Sequence, residues 1–185
     1  MAGIVILILL ISELFIFSVQ EKWTTNGKRI QYFSTERPGI IFFDSEYVRY
    51  VNITSQRYSR KDPFYYVNIH LDTIVPIGNN FMLHFYFYEF LTNQYKRGFI
   101  EMHKPFCDLI HKDTFFGAAM KKYFPPSCPV PKGSYHMYNM TIPIEQVPKG
   151  FPFTKGRIYC NVTENGTNKI VLSGYIDMEL KYARI

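Results

Sequence analysis

Period-two alternation, repeated in several segments, constrains this chain more than any other feature. In YYVNIHLDTIV, Val67, Ile69, Leu71, Thr73 and Val75 fall on one side of a pleated strand, and Asn68, His70 and Asp72 on the other. That is the pattern of a strand with one buried face. Pro76-Ile77-Gly78-Asn79 reads as a turn. NFMLHFYFYEFL comes next, with Phe81, Leu83, Phe85 and Phe87 on one face and Met82, His84, Tyr86, Tyr88 and Phe90 on the other. Both faces are too apolar to meet open water, so part of this strand is expected to be covered.

GRIYCNVT repeats the rhythm, with Ile158, Cys160 and Val162 inward and Arg157, Tyr159, Asn161 and Thr163 outward. The turn ENGTN contains Asn-Gly, a strong hairpin signal. The return strand KIVLSGYIDMELKYA is expected to turn Ile170, Leu172, Gly174, Ile176, Met178 and Leu180 inward, and Val171, Ser173, Tyr175, Asp177, Glu179 and Lys181 outward. Another strand is expected through IIFFDSEYVRYVNIT. Together these segments predict an all-β fold, an antiparallel immunoglobulin-like β-sandwich or β-cup of about seven or eight strands with one or two short helices.

The rhythm breaks between Glu101 and Tyr135. There Asp113 is placed to cap a short helix, TFFGAAMKKYF, with Phe116, Met120 and Tyr123 at helical spacing. Lys121 and Lys122 fall in its last turn, and Pro125-Pro126 ends it.

The first twenty residues, MAGIVILILLISELFIFSVQ, read as a secretory signal peptide over 1–20, and residues 21–185 as one domain. A membrane anchor needs about 20 predominantly apolar residues, and Glu13 interrupts this run. The leader carries one acid and no base, so removing it takes the net charge from +6 to +7. The Lys and Arg residues are dispersed rather than gathered into the dense stripe that nucleic acid requires, so no nucleic-acid partner is expected. Four Asn-x-Ser/Thr sequons, at Asn52, Asn139, Asn161 and Asn165, fit a secreted glycoprotein. The expected localisation is extracellular.

An oxidising compartment bears on the cysteines. His103, Cys107 and His111 are spaced at i, i+4 and i+8, as zinc ligands on a helix can be. Pro105 lies between the first two and argues against that helix. No metal and no cofactor are expected. The chain has no G-x-S-x-G elbow, H-E-x-x-H helix, phosphate loop or dinucleotide fingerprint. Asp44, Asp72, Glu89 and Asp177 read as solvated outward carboxylates rather than a catalytic pair. No catalytic residue is assigned, and the chain is read as a non-enzyme. A disulfide is the simplest use of Cys107 and Cys128: it closes a loop of about 20 residues worth about 3 kcal/mol. Cys160 is then a buried free thiol, although its pairing with either of the others stays open.

Four segments carry a family resemblance: PFCDLI, SCPVPKGSYHMYNMTIP, KGRIYCNVTENG and IVLSGYIDMELK. Phe106-Cys107-Asp108, the run Cys128-Pro129-x-x-x-Gly133-x-Tyr135, Gly156-Arg157-Ile158-Tyr159 and the terminal Leu180-Lys181 resemble the C-terminal half of the insect chemosensory proteins B. That group is similar to the ganglioside activator protein and the ML-type lipid-recognition domains. The resemblance runs from near Phe106 to the end, while the N-terminal half shares only strand rhythm. The activator protein also has further disulfides, for which this chain lacks the cysteines.

The resemblance implies a disulfide between Cys107 and Cys128 and a secreted β-cup that admits an apolar ligand. It also implies a role in pheromone or gustatory chemosensation, with a lipid or long-chain hydrocarbon as ligand. Val67, Ile69, Leu71, Phe85, Phe87, Phe115, Phe116, Ile176 and Met178 are the expected ligand-lining residues, with Phe115, Phe116 and Phe124 near the mouth. The alternative is a filled core in a secreted accessory protein that docks on a membrane receptor or channel ectodomain.

Overall fold

The computed structural model describes residues 29–114, 116–142 and 154–184. The expected leader at 1–20, and Phe115, lie outside these residues. Gln31–Lys181 make one compact unit, which holds both sheets and the helices. Of the second unit, Met1–Ile30 with Tyr182–Ile185, the described part is strand.

Eight strands succeed one another in order: β1 Arg29–Phe43, β2 Val48–Gln56, β3 Tyr66–Thr73, β4 Phe81–Leu91, β5 Gln94–Pro105, β6 Gly133–Met140, β7 Lys155–Glu164 and β8 Ile170–Arg184. Between β5 and β6 lie helix α1, Phe106–Lys112, and helix α2, Phe116–Met120, which runs into a 3₁₀ turn at Lys121–Tyr123. The strands form two antiparallel sheets, β1-β8-β7-β4-β5 and β2-β3-β6, so the fold is the expected all-β sandwich.

The alternation in β4 holds as read. Phe81, Leu83, Phe85 and Phe87 are buried, and the residues between them are half-buried. Its second face is covered by side chains of its own sheet: Arg97 lies 4.7 Å over the Tyr86 ring, and Tyr159 packs edge-on against Tyr88 at 4.8 Å. The β4–β5 hairpin turns through Thr92 and Asn93, both at positive φ, with Leu91 opposite Gln94. Positive φ at both central residues is the backbone of a type I′ turn.

Three expectations need correction. The single strand expected through IIFFDSEYVRYVNIT is two strands in different sheets, β1 and β2. Asp44 makes the break: its carboxylate accepts the Glu46 N–H at 2.9 Å and its carbonyl accepts the Val48 N–H at 2.9 Å. An Asp side chain that bonds its own backbone two residues on builds a turn.

In β8 the outward Val171 is 3% exposed and the inward Ile170 is 44% exposed. A register shift beside Val162 and Thr163 pairs them with Leu172 and Ile170, which reverses the faces at that end. Asp177, read as solvated, is 5% exposed. Arg157 donates to both of its oxygens, at 2.6 and 3.3 Å, and Arg37 lies at 3.0 Å. The Arg157 guanidinium in turn lies over the Tyr175 and Tyr95 rings at 4.1 and 4.2 Å. Burial opposes its charge, but hydrogen bonds to Asp177 and Tyr159 outweigh that and raise its pKa.

The helices seal one flank. Pro105 sits at the α1 N-cap, where its missing N–H costs nothing, and Cys107 N–H donates to Asn79 Oδ1 at 3.0 Å. Leu109 and Ile110 are fully buried. Asp113 caps as expected, accepting the Gly117 N–H at 3.1 Å. A Cβ on Gly117 would overlap the Leu109 carbonyl oxygen, so only glycine allows α2 this close to α1. A disulfide joins Cys107 to Cys128, and Cys160 is free.

Candidate functional site

Strands with one apolar face must bury it, yet the inner faces of the two sheets do not fill the space between them. A cavity of about 280 Å3 remains. The three-stranded sheet contributes Val51 and Ile53 from β2, the Val67–Ile69–Leu71 face of β3, and Met137 and Met140 from β6. The five-stranded sheet contributes Leu83 and Phe85 from β4, Ile158, Cys160 and Val162 from β7, and Ile176 from β8.

The helical segment covers part of the space with Phe116, Ala119 and Met120. Phe116 stacks on Phe85 with centroids 4.8 Å apart and planes 5° from parallel. Phe124 packs edge-on against Phe106 at 5.5 Å. The disulfide ties α1 to the chain leading into β6, on either side of this cover.

Of the expected lining residues, Val67, Ile69, Leu71, Phe85, Phe116 and Ile176 meet around this cavity. Phe87 and Met178 are buried but do not line it. Met178 stands opposite Gly156, one rung beyond the Ile158–Ile176 pair that ends the cavity on those strands. Phe87 packs instead beside Phe116, with centroids 6.4 Å apart. Alternation tells which face a residue takes, but not the rung at which two sheets separate.

Other wall residues escaped the sequence reading. Thr35, Gly39 and Ile40 come from β1, whose segment has no clean alternation. Met137 and Met140 are three apart, which alternation forbids. Asn139, at φ 54°, absorbs an extra residue, so Val67 pairs with Met140 and Ile69 with Met137. The φ-tolerant Asn between the two methionines was the available signal.

Among the described residues, no Asp, Glu, Lys, Arg or His lines the cavity. Cys160 is half-buried on the cavity wall, and burial pushes its thiol up to about 12. The Tyr47 hydroxyl donates to Glu164 at 3.1 Å. Thr73 Oγ1 accepts the Gly133 N–H at 3.4 Å. Thr35 Oγ1 is different: it is buried and has no hydrogen-bond partner among the described residues.

The histidines serve elsewhere. His103 stands across from His84, with their Nδ1 atoms 2.8 Å apart, and its Nε2 lies 3.3 Å from Glu101. His111 is on α1, and Cys107 is in the disulfide, so the i, i+4, i+8 set never shares a helix face. No group of three or more His, Cys, Asp or Glu among the described residues is placed to hold a metal ion. Asp44 pairs with Lys169 at 2.7 Å and Asp72 with Arg49 at 3.4 Å, so these carboxylates do not converge with Asp177.

Among the sequons, Asn52 and Asn139 are exposed. Asn161 is half-buried and accepts the Ser173 hydroxyl at 2.7 Å, while the exposed Asn165 spends its Nδ2 on the Asn79 carbonyl at 2.7 Å.

An apolar cavity, uncharged among the described residues and partly covered by a helical segment, is thus the site this fold builds. No protein-family model matches the chain, and no curated protein matches it in sequence.

Proposed function

We propose that this chain is a secreted, non-enzymatic binding protein that sequesters or presents a hydrophobic ligand, a lipid or hydrocarbon, with a role in pheromone or gustatory chemosensation. The observation that carries the reading is the uncharged cavity of about 280 Å3 between the sheets. Packed interiors keep few voids larger than a water molecule, so a space of this size is the expected seat of an apolar molecule. The mechanism is solubilisation, since burial removes apolar surface from water at about 25 cal/mol per Å2. The signal-like leader, the four sequons and the resemblance to the chemosensory proteins B support secretion and the chemosensory role. Native mass spectrometry and solvent extraction of protein secreted from insect cells test it. Co-purifying lipid or hydrocarbon is the expected result. Bare protein that also fails to take up apolar probes refutes it.

A second reading, an accessory protein docking on a receptor or channel ectodomain, draws on exposed apolar surface. Ile41, Phe42 and Phe43 are exposed on β1, an edge strand, and Phe99 on the opposite edge strand is 87% exposed. Crosslinking to a membrane protein with no ligand requirement favours this reading over the first.

A further inference from the structure

The cavity sets limits on its occupant in size, charge and polarity, and each limit comes from a separate observation. Size is set by volume. An apolar cavity of about 150 Å3 takes up benzene, and in proportion 280 Å3 takes about eleven non-hydrogen atoms. A hydrocarbon of twenty or more carbons exceeds this space about twofold.

Charge is set by the wall, which among the described residues carries no ionisable side chain of either sign other than the Cys160 thiol and the phenols of Tyr47 and Tyr175. Burial keeps that thiol protonated. An ionised head group entering here loses its hydration and meets no counter-charge, which is prohibitive for a carboxylate or phosphate.

Polarity is set by Thr35. Its residue is 2% exposed, it lies on the wall, and its Oγ1 has no partner among the described residues. A buried hydroxyl without a protein partner is uncommon in folded proteins, and pairing with a ligand group is one physical reason for it. The oxygen is covered by its neighbours, so pairing with a ligand in the cavity requires it to change between staggered χ1 rotamers.

We infer that the ligand is a neutral aliphatic molecule of about eleven non-hydrogen atoms carrying one hydrogen-bonding oxygen, a primary alcohol or aldehyde, which pairs with the Thr35 hydroxyl. This rests on the carrier reading and narrows it, excluding ionised fatty acids, phospholipids, glycolipids and very long hydrocarbons.

Equilibrium partition of tritium-labelled 1-decanol, decane, sodium decanoate at pH 8 and 1-tetracosanol into the full-length secreted protein tests it. The expected order is 1-decanol first, decane about tenfold weaker, decanoate weaker still, and 1-tetracosanol unbound. Thr35→Val drops 1-decanol below decane, because its hydroxyl is then buried without a partner, and leaves decane unchanged, while Thr35→Ser keeps the preference for 1-decanol. Decanoate or 1-tetracosanol binding as tightly as 1-decanol overturns this inference and leaves the carrier reading standing. So does a Thr35→Val protein that binds 1-decanol with undiminished affinity. Uptake of none of the four removes the carrier reading and this inference together.

Discussion

Replacing Ala119 with leucine adds three carbon atoms to the wall of the cavity, on the half-buried side of α2. At about 24 cal/mol per Å3, a void of 280 Å3 forfeits about 7 kcal/mol of packing. That is of the order of a whole domain's net stability, about 5–15 kcal/mol. Side chains that enter the space should therefore stabilise the fold. Three carbons at ~0.8 kcal/mol each give at most about 2.4 kcal/mol, and Ala and Leu have similar helix propensities. For a chain of this size that raises Tm by about 5–10 °C. The same side chain occupies volume the ligand needs, so partition of 1-decanol should fall while Tm rises. Ala118→Leu is the control: it lies on the same helix but is exposed, and should change neither quantity. Scanning calorimetry and labelled-decanol partition read the two effects. A folded Ala119→Leu protein with lower Tm means the cavity is already filled by its own wall. Raised Tm with unchanged binding means that the ligand sits elsewhere. Either result refutes the reasoning.

Three further outcomes are expected. Cys107→Ser with Cys128→Ser opens a loop with a sequence separation of 21, which in the chain-entropy model lowers unfolding stability by about 3 kcal/mol. Calorimetry showing no loss would mean that α1 and its neighbours are held by packing alone. Cys160, with its thiol pushed up to about 12 by burial, should resist alkylation at pH 8 in the folded protein and react once unfolded in guanidinium. Rapid native labelling would show that the cavity admits polar reagents. The His84 pKa lies below the ordinary imidazole value because burial, followed by the charge of His103, disfavours the imidazolium. The unfolded chain takes up that proton near pH 6.5, so the stabilisation is complete above that pH and is lost as pH falls through the lower folded value. His84→Gln should flatten this part of the stability–pH curve in urea titrations. An unchanged slope would assign it to another group.

How much of this protein was legible in its sequence depends on the range over which each property is decided. Alternation is a local consequence of the pleat, so the β class, the inward faces of β3 and β4 and the hairpin at Asn165-Gly166 could be read directly. The Asp113 cap was local too, because it needs only one carboxylate within reach of one N–H. Of the six expected wall residues that met around the cavity, five belong to such a face, and Phe116 reaches it from α2.

The remaining features depend on which strands become neighbours. Asp44 builds its turn from local bonds, but that β1 and β2 then enter different sheets was decided by their neighbours. Val171 turns inward only because β7 and β8 slip register by one residue. Asp177 is buried because Arg157 of β7 pairs with it, with the guanidinium packed on Tyr95 of β5 and on Tyr175 of Asp177's own strand. Phe87 and Met178 were assigned to the correct buried face, but the rung at which the sheets part was set by both sheets and the helical cover together. By itself the sequence determined which side chains must leave water. Tertiary structure alone decided that they leave it around a space rather than against one another, because a void is a property of two packed surfaces and is encoded in neither strand alone.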